Sequence, residues 1–380
     1  MQLTANFRSS SFSWKVCESP AAELCIDENI HCSFNQFLKI MSGEHFDVTP
    51  SKYSKMSEYF VSASQVTPLL MPKKSLKFNL QKAENLLSES IRIHENSEYL
   101  LTWSKSFQFL QSMKRAKIDR VALERLMQER DSEDSRTLRS FLPDSSGFAR
   151  KVTYNVADSL TGRAKVASGP QVLTAHHEVR NCIRSSFEGG SVQMVDFRSV
   201  EPRIALLFVG RPAPDDVYSD LLDEFPEIGR QAAKLATLVA LYGGKVNRLA
   251  EVVGDLEKAR KSVSFVKAHF RVDEMERKLA QQAENGLIRN ILGRPLREAT
   301  KNPRIRTNHF LQSSAAELAP LLFSELCENF VDEVRPLFVI HDALIVDVHP
   351  DRLEDFTQHA ENITWRNNRM PVKVERLGPI

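Results

Sequence analysis

No C-x-x-C pair occurs among the five cysteines of this 380-residue sequence; Cys17, Cys25, Cys32, Cys182 and Cys327 form an odd set at uneven spacings. Such spacing supports neither a disulfide framework nor a structural zinc site, and it leads us to expect free thiols in a reducing compartment. Long apolar runs are missing too. No stretch approaches the roughly 18 apolar residues of a membrane span, and the opening MQLTANFRSSSFSWKVCESP holds no apolar core of signal-peptide length. A soluble, cytoplasmic protein is the expectation, with no membrane partner. Charge of one sign is not in excess: 51 lysines and arginines face 49 aspartates and glutamates, for a net charge of +2, so bulk charge does not announce a nucleic-acid partner. Internal repeats and low-complexity tracts are absent, which removes solenoid architectures.

What the chain does have is 42% hydrophobic residues, enough to bury a sizeable core in two or three packed units. Residues 1–75 are short mixed runs with turn signals at Thr49-Pro50 and Met71-Pro72, and no function is assigned to them. From Phe78 to about Arg130 apolar residues recur at helical spacing, first Leu80, Ala83, Leu87 and Ile91, later Ile118, Ala122 and Leu126, which predicts long amphipathic helices and a lever-like block. Lys114, Arg115, Lys117 and Arg120 make a basic patch that reads either as a solvated helix end or as a phosphate contact. From about Thr153 the texture turns to short β-branched strands separated by polar turns and helices, and the chemistry lies there.

Three segments carry it. In SVQMVDFRSVEPR (191–203) an apolar run ends in Asp196, where an acid is well placed to hold a metal. Ser199 is expected to cap the helix that follows, and Pro202 is tolerable in its first turn, where amides lack intrahelical acceptors. In LFVIHDALIVDV (337–348) two apolar strands flank a tight turn at His341-Asp342, so Asp342 sits at a hairpin tip. Between them, RQAAKLATLVALYGG (230–244) places Arg230, Lys234, Leu238 and Tyr242 on one helix face, two cations followed by an apolar and an aromatic residue. Each segment alone also has a bland reading, as a turn acid, a turn residue or an ordinary amphipathic helix.

In this order, DFRSVEPR, the R-x-x-x-K-x-x-x-x-x-x-x-YG pattern and IHDA resemble motifs A, B and C of the DNA polymerase I family. Thr161-Gly162-Arg163 is similar to the family's TGR, and Arg304, Asn308 and Gln312 match its R-x-x-x-N-x-x-x-Q run. The resemblance covers about residues 150–380 and, more loosely, the helical block from about 78. It implies an α+β right-hand polymerase with an antiparallel-sheet palm, helical fingers and a helical thumb: thumb 76–150, palm 151–214, fingers 215–300, palm again 301–380.

The implied activity is template-directed addition of deoxynucleotides to a primer 3′ end by two-metal nucleotidyl transfer. Two magnesium ions, replaceable by manganese, would be held by Asp196, Asp342 and the Phe197 carbonyl. Two carboxylates about 4 Å apart repel by roughly 4 kcal/mol at a surface-like dielectric, a penalty that cations remove. The resemblance gives Arg230 and Lys234 to the β- and γ-phosphates, with Lys234 the proton donor to pyrophosphate. It puts Tyr242 near the templating base, Tyr218 near the sugar and phosphates, and Glu201 where a ribose 2′-hydroxyl would be blocked. Arg163, Arg304, Asn308, Gln312 and His341 match positions that hold primer-template DNA. The expected partners are primer-template DNA and deoxynucleoside triphosphates, with replication accessory proteins as further candidates.

Four residues depart from the family pattern. Leu238 stands where it has an aromatic residue, Ala343 replaces the glutamate after the motif C aspartate, and Arg198 and Ser199 replace Ser-Gln. No proofreading domain is expected, since the one D-x-E of the helical block, Asp131 to Glu133, lies in a charged run. A single-subunit RNA polymerase and a non-catalytic DNA-binding relative are the competing readings.

Overall fold

The computed structural model describes residues 98–129, 132–157, 159–296 and 303–378, helical residues 39–42, single helical positions at 85, 88, 89 and 92, and the backbone of four N-terminal strands. Those strands form a sheet in the order Ser11–Cys17, Gln2–Arg8, Glu23–Ile26, Ile30–Ser33. Leu80, Ala83, Leu87 and Ile91, the first helical run expected from the sequence, lie outside the described residues, as does Asp131.

Helix α1 (Tyr99–Gln111) buries Tyr99, Trp103, Phe107 and Leu110, a spacing of three to four residues that makes one apolar stripe. Helix α2 (Arg120–Gln128) starts at Asp119, whose carboxylate accepts the Ala122 N–H at 3.0 Å. Ile118, expected on this helix, instead belongs to a two-residue strand, Lys117–Ile118, paired with Ile183–Arg184. The capping aspartate after it sets the helix start. The basic patch resolves toward its structural reading at two positions. Arg115 donates to the carbonyls of Ala149 and Phe148 and pairs with Asp144, and Arg120 donates to the Pro143 carbonyl.

The central sheet contains β1 (Ser191–Phe197), which leads into α3 (Val200–Phe208) and then, past the loop, α4 (Gly229–Tyr242). After the long helix α5 (Pro303–Glu328) come β2 (Val334–Ile340), β3 (Ala343–Val348) and, last, β4 (Val372–Leu377). The order is β2-β3-β1-β4, antiparallel throughout. β3 is buried along its whole length and β1 everywhere but Asp196, which is why both read as near-continuous apolar runs. α5 lies against this sheet through Phe323, whose ring stacks on Phe197 at 4.9 Å. At the β2 edge the Tyr154 hydroxyl accepts the Val339 N–H at 2.8 Å and donates to its carbonyl at 2.9 Å, satisfying edge groups that would otherwise stand open. Helices Val246–Val253, Leu256–His269 and Val272–Glu284 form a helical layer with α4.

One buried polar cluster ties the body together. Glu317 of α5 accepts from Tyr99 Oη (2.8 Å), Arg294 (2.9 Å) and Asn290 Nδ2 (2.8 Å). Burial holds the Tyr99 hydroxyl well above its ordinary range, with the Glu317 charge adding to the effect. Among the described residues no helix is long and apolar enough to cross a membrane.

Candidate active site

β1 ends at Asp196 and Phe197, and the β2–β3 hairpin turns at His341-Asp342 directly beside it. Ala343 is the register partner of Asp196, and the Phe197 N–H donates to the Asp342 carbonyl at 3.2 Å. The turn is made possible by His341, which adopts a left-handed conformation at φ 57°. Two acids from distant parts of the chain thus line one cleft of about 400 Å³. Their proximity is legible in the electrostatics. Burial, and next the charge of Asp342, push the Asp196 carboxyl up to about 6, against the lowering pull of Arg180 and Lys234.

α4 also lines this cleft. Ala232, Ala233, Ala236, Val239 and Ala240 bury one face of this helix, so the Arg230-Lys234-Leu238-Tyr242 face is left toward the opening. Gly243, in the left-handed conformation at φ 70°, ends the helix and donates to the Val239 carbonyl. Lys234 and Leu238 line the cleft with the two aspartates, whereas Arg230, one turn earlier, lines an adjoining one. Arg230 pairs with Asp216 and lies over the Tyr218 ring at 5.2 Å.

Glu201 projects from the first turn of α3 and is held from two sides. Arg163 donates to it at 3.1 Å, and the Tyr242 hydroxyl donates to its other oxygen. Burial and the Glu201 charge raise the Tyr242 hydroxyl well above its usual range, so it stays a donor. Arg163 owes its place to Gly162: at φ 73°, a Cβ there would stand 2.5 Å from the Arg294 guanidinium. Ser199 departs from expectation. It occupies the cap position of α3 in a left-handed conformation (φ 58°) and makes no side-chain cap bond; its hydroxyl instead donates to Tyr218 Oη at 2.9 Å. The left-handed residue turns the chain sharply from strand to helix and sends the hydroxyl away from the amides it would have capped.

Asp196, Phe197, Asp342, Glu201, Tyr218, Lys234, Leu238, Arg163 and His341, nine positions singled out in the sequence, therefore surround one cleft. Asn308 and Gln312 are half-buried on α5 without lining it, and the side chain of Arg304 lies outside what is described. Sequence reasoning missed Arg180, which reaches Met194 Sδ at 3.3 Å and acts on Asp196, and Glu375, whose charge also bears on Asp196 from β4. The cross-strand register of β4, Lys373 opposite Asp196 and Glu375 opposite Met194, is the signal that finds the latter. Among the described residues His176, His177 and Glu178 form one compact group able to hold a metal, but none of them lines this cleft.

The chain is an α+β body in which two acids and a lysine from α4 line one cleft, and comparison with solved structures gives the fold a counterpart. The fold is similar to that of the POL domain of Pol1 from M. smegmatis, solved in complex with DNA primer-template and dNTP; the match has a TM-score of 0.57 and 15% sequence identity and covers 94% of this chain and 86% of that one. No protein-family model matches the sequence. No curated protein matches it either.

Proposed function

We propose that this chain is a template-directed DNA polymerase that adds deoxynucleotides to a primer 3′ end by two-metal nucleotidyl transfer. The observation that carries the reading is the convergence of Asp196 and Asp342 on a single cleft that Lys234 and Leu238 also line. In this reading the β1–β4 sheet is the palm, α4 and the helices of 246–284 are the fingers, and residues up to about 150 include the thumb. The solved neighbour's complex with primer-template and dNTP supports the same partners here.

The donor set suits a divalent ion. Two carboxylates and the Phe197 carbonyl are hard oxygen ligands, and Asp196 is pushed up to about 6 by burial and by Asp342, a repulsion for which a magnesium or manganese ion is the natural relief. Two such ions, when bound, supply charge stabilisation at the attacking 3′-hydroxyl and at the leaving pyrophosphate. Asp196 and Asp342 act as ligands, and neither needs to serve as a base. Lys234, with Arg230 beyond it, neutralises the β- and γ-phosphates and gives the leaving group its proton. Glu201, fixed by Arg163 and Tyr242, crowds the position of a ribose 2′-hydroxyl. Tyr218 borders the sugar and phosphates, and Tyr242 the templating base. Arg163, His341, Asn308, Gln312 and Arg304 take primer and template through backbone and minor-groove acceptors common to all base pairs.

Primer extension on a primed single-stranded template with magnesium is the test. Deoxynucleotides should be incorporated and ribonucleotides rejected, and Asp196→Ala or Asp342→Ala should each slow incorporation on the order of a thousandfold while duplex binding persists. A wild-type chain that binds DNA and extends nothing would make this a non-catalytic binding protein; preference for ribonucleotides would make it an RNA polymerase.

A further inference from the structure

His176, His177 and Glu178 gather outside the cleft, at the start of a short 3₁₀ helix, His177–Cys182. His176 is still extended (φ −57°, ψ 143°) where His177 begins the helix, and this break in the backbone turns consecutive side chains to one side. In an unbroken strand neighbours face opposite ways. The His176 ring makes no cap bond to the helix. Its Nδ1 lies 3.5 Å from Glu178 Oε2, and its ring centroid lies 4.4 Å from that of His177. One ligand atom from each of the three residues falls within 4.8 Å of the other two.

The donor set and its spacing select a class of ion. Zinc binds imidazole nitrogen at about 2.0–2.1 Å and carboxylate oxygen at about 2.0–2.2 Å, and tetrahedral bonds of that length set neighbouring ligand atoms roughly 3.4 Å apart. The His176–Glu178 separation already meets that figure, and rotation of the exposed His177 ring brings in the third ligand. Two nitrogens and one oxygen suit zinc, whereas magnesium prefers oxygen ligands and is suited to the Asp196–Asp342 cleft instead. A plain ion pair accounts for His176 with Glu178 but not for the convergence of His177 on both.

The segment that follows is held by the body of the protein. It packs against α2, the Cys182 carbonyl accepts the Asp119 N–H at 2.8 Å, and Arg184 pairs with Asp119 at 2.9 Å. Arg180, two residues past Glu178, donates to Met194 Sδ at 3.3 Å, and its charge bears on Asp196. We infer that His176, His177 and Glu178 form a zinc site separate from the catalytic cleft, with water as the fourth ligand, and that the ion clamps the start of the helix that carries Arg180. The site stands on its own ligands and does not depend on the polymerase reading.

Zinc should be titrated by calorimetry into the untagged full-length chain in excess magnesium. One ion should bind, and His176→Ala, His177→Ala and Glu178→Gln should each weaken it at least about tenfold, the loss that removing even a residue behind the ligands brings in metal sites. His349→Ala, which removes the histidine of the His349–Asp351 pair, and Asp342→Ala should bind zinc as the wild type does. Zinc at about a hundred times its Kd should raise the wild-type melting temperature by a few degrees. It should also slow hydrogen exchange at the Val179 N–H, which donates to the His176 carbonyl at 3.1 Å. Without zinc the ligand variants should melt with the wild type, so that lost binding is not lost folding; His176→Gln and His177→Gln replace any alanine variant that melts lower. A wild type that takes up no zinc, ligand variants that bind it normally, or an equal loss in Asp342→Ala overturns the site. Zinc binding that leaves exchange across residues 179–184 unchanged overturns the clamp.

Discussion

Glu201 and Leu238 show how single side chains set the cleft's chemistry. Glu201 accepts from Arg163 and from Tyr242, so its position is fixed before any ligand arrives. Leu238 is flexible and aliphatic, and it lines the cleft where a base would stack in the proposed reaction. An aromatic platform is worth about 1–3 kcal/mol per base, so Leu238→Phe should lower the steady-state KM for deoxynucleotides about tenfold. An unchanged KM in an otherwise normal variant would remove stacking from the account. Asp196 and Asp342 were legible as acids ending apolar runs, and the resemblance to a polymerase motif set paired them. Arg180, Lys373 and Glu375 were not legible, because the charges of Arg180 and Glu375 act on Asp196, and Lys373 stands opposite it, through tertiary placement rather than spacing along the chain.

At the scale of elements, helix starts decide where chains turn. α2 depends on Asp119, which accepts the Ala122 N–H and pairs with Arg184 at 2.9 Å. The Ala122 amide, and after it the Arg184 charge, hold the Asp119 carboxyl below its ordinary value despite partial desolvation. A folded-state value lower than the unfolded one means the stabilisation is complete above the unfolded value, about 3.9, and disappears as pH falls through the folded one. Asp119→Ala should therefore cost about 1 kcal/mol in urea unfolding at neutral pH, with the gap to wild type closing in acid. A gap that stays constant into acid would exclude this cap as its source. Helical spacing from 118 to 126 anticipated α2 but not its first residue, since a β-branched residue before a capping aspartate fits a strand end as well as a helix.

Across the whole molecule, the Glu317 cluster links α1, the 290–294 segment and α5. Glu317 and Arg294 are almost fully buried and bonded to one another, to Tyr99 and to Asn290. Removing one partner of a buried ion pair leaves an uncompensated charge, so Glu317→Ala should cost about 3–5 kcal/mol and lower the melting temperature accordingly. Replacing both, as in Arg294→Met with Glu317→Leu, should cost less than the single change, because no charge is left buried. A double variant less stable than Glu317→Ala would overturn this. Gly162 packs against the same arginine, so the buried cluster also supports the turn that delivers Arg163 to Glu201.

Local order was fixed by the sequence itself: the apolar runs that became β1, β2 and β3, the hairpin turn at His341-Asp342, and the one-faced α4 all follow from spacing, turn chemistry and a left-handed glycine at the helix end. Which residues meet across the fold was decided only by tertiary structure. Strand register set Lys373 and Glu375 beside Asp196, and the left-handed Ser199 redirected its own hydroxyl to Tyr218. Such outcomes depend on contacts between segments far apart in the chain, where side-chain periodicity carries no information and only the packed backbone fixes distance.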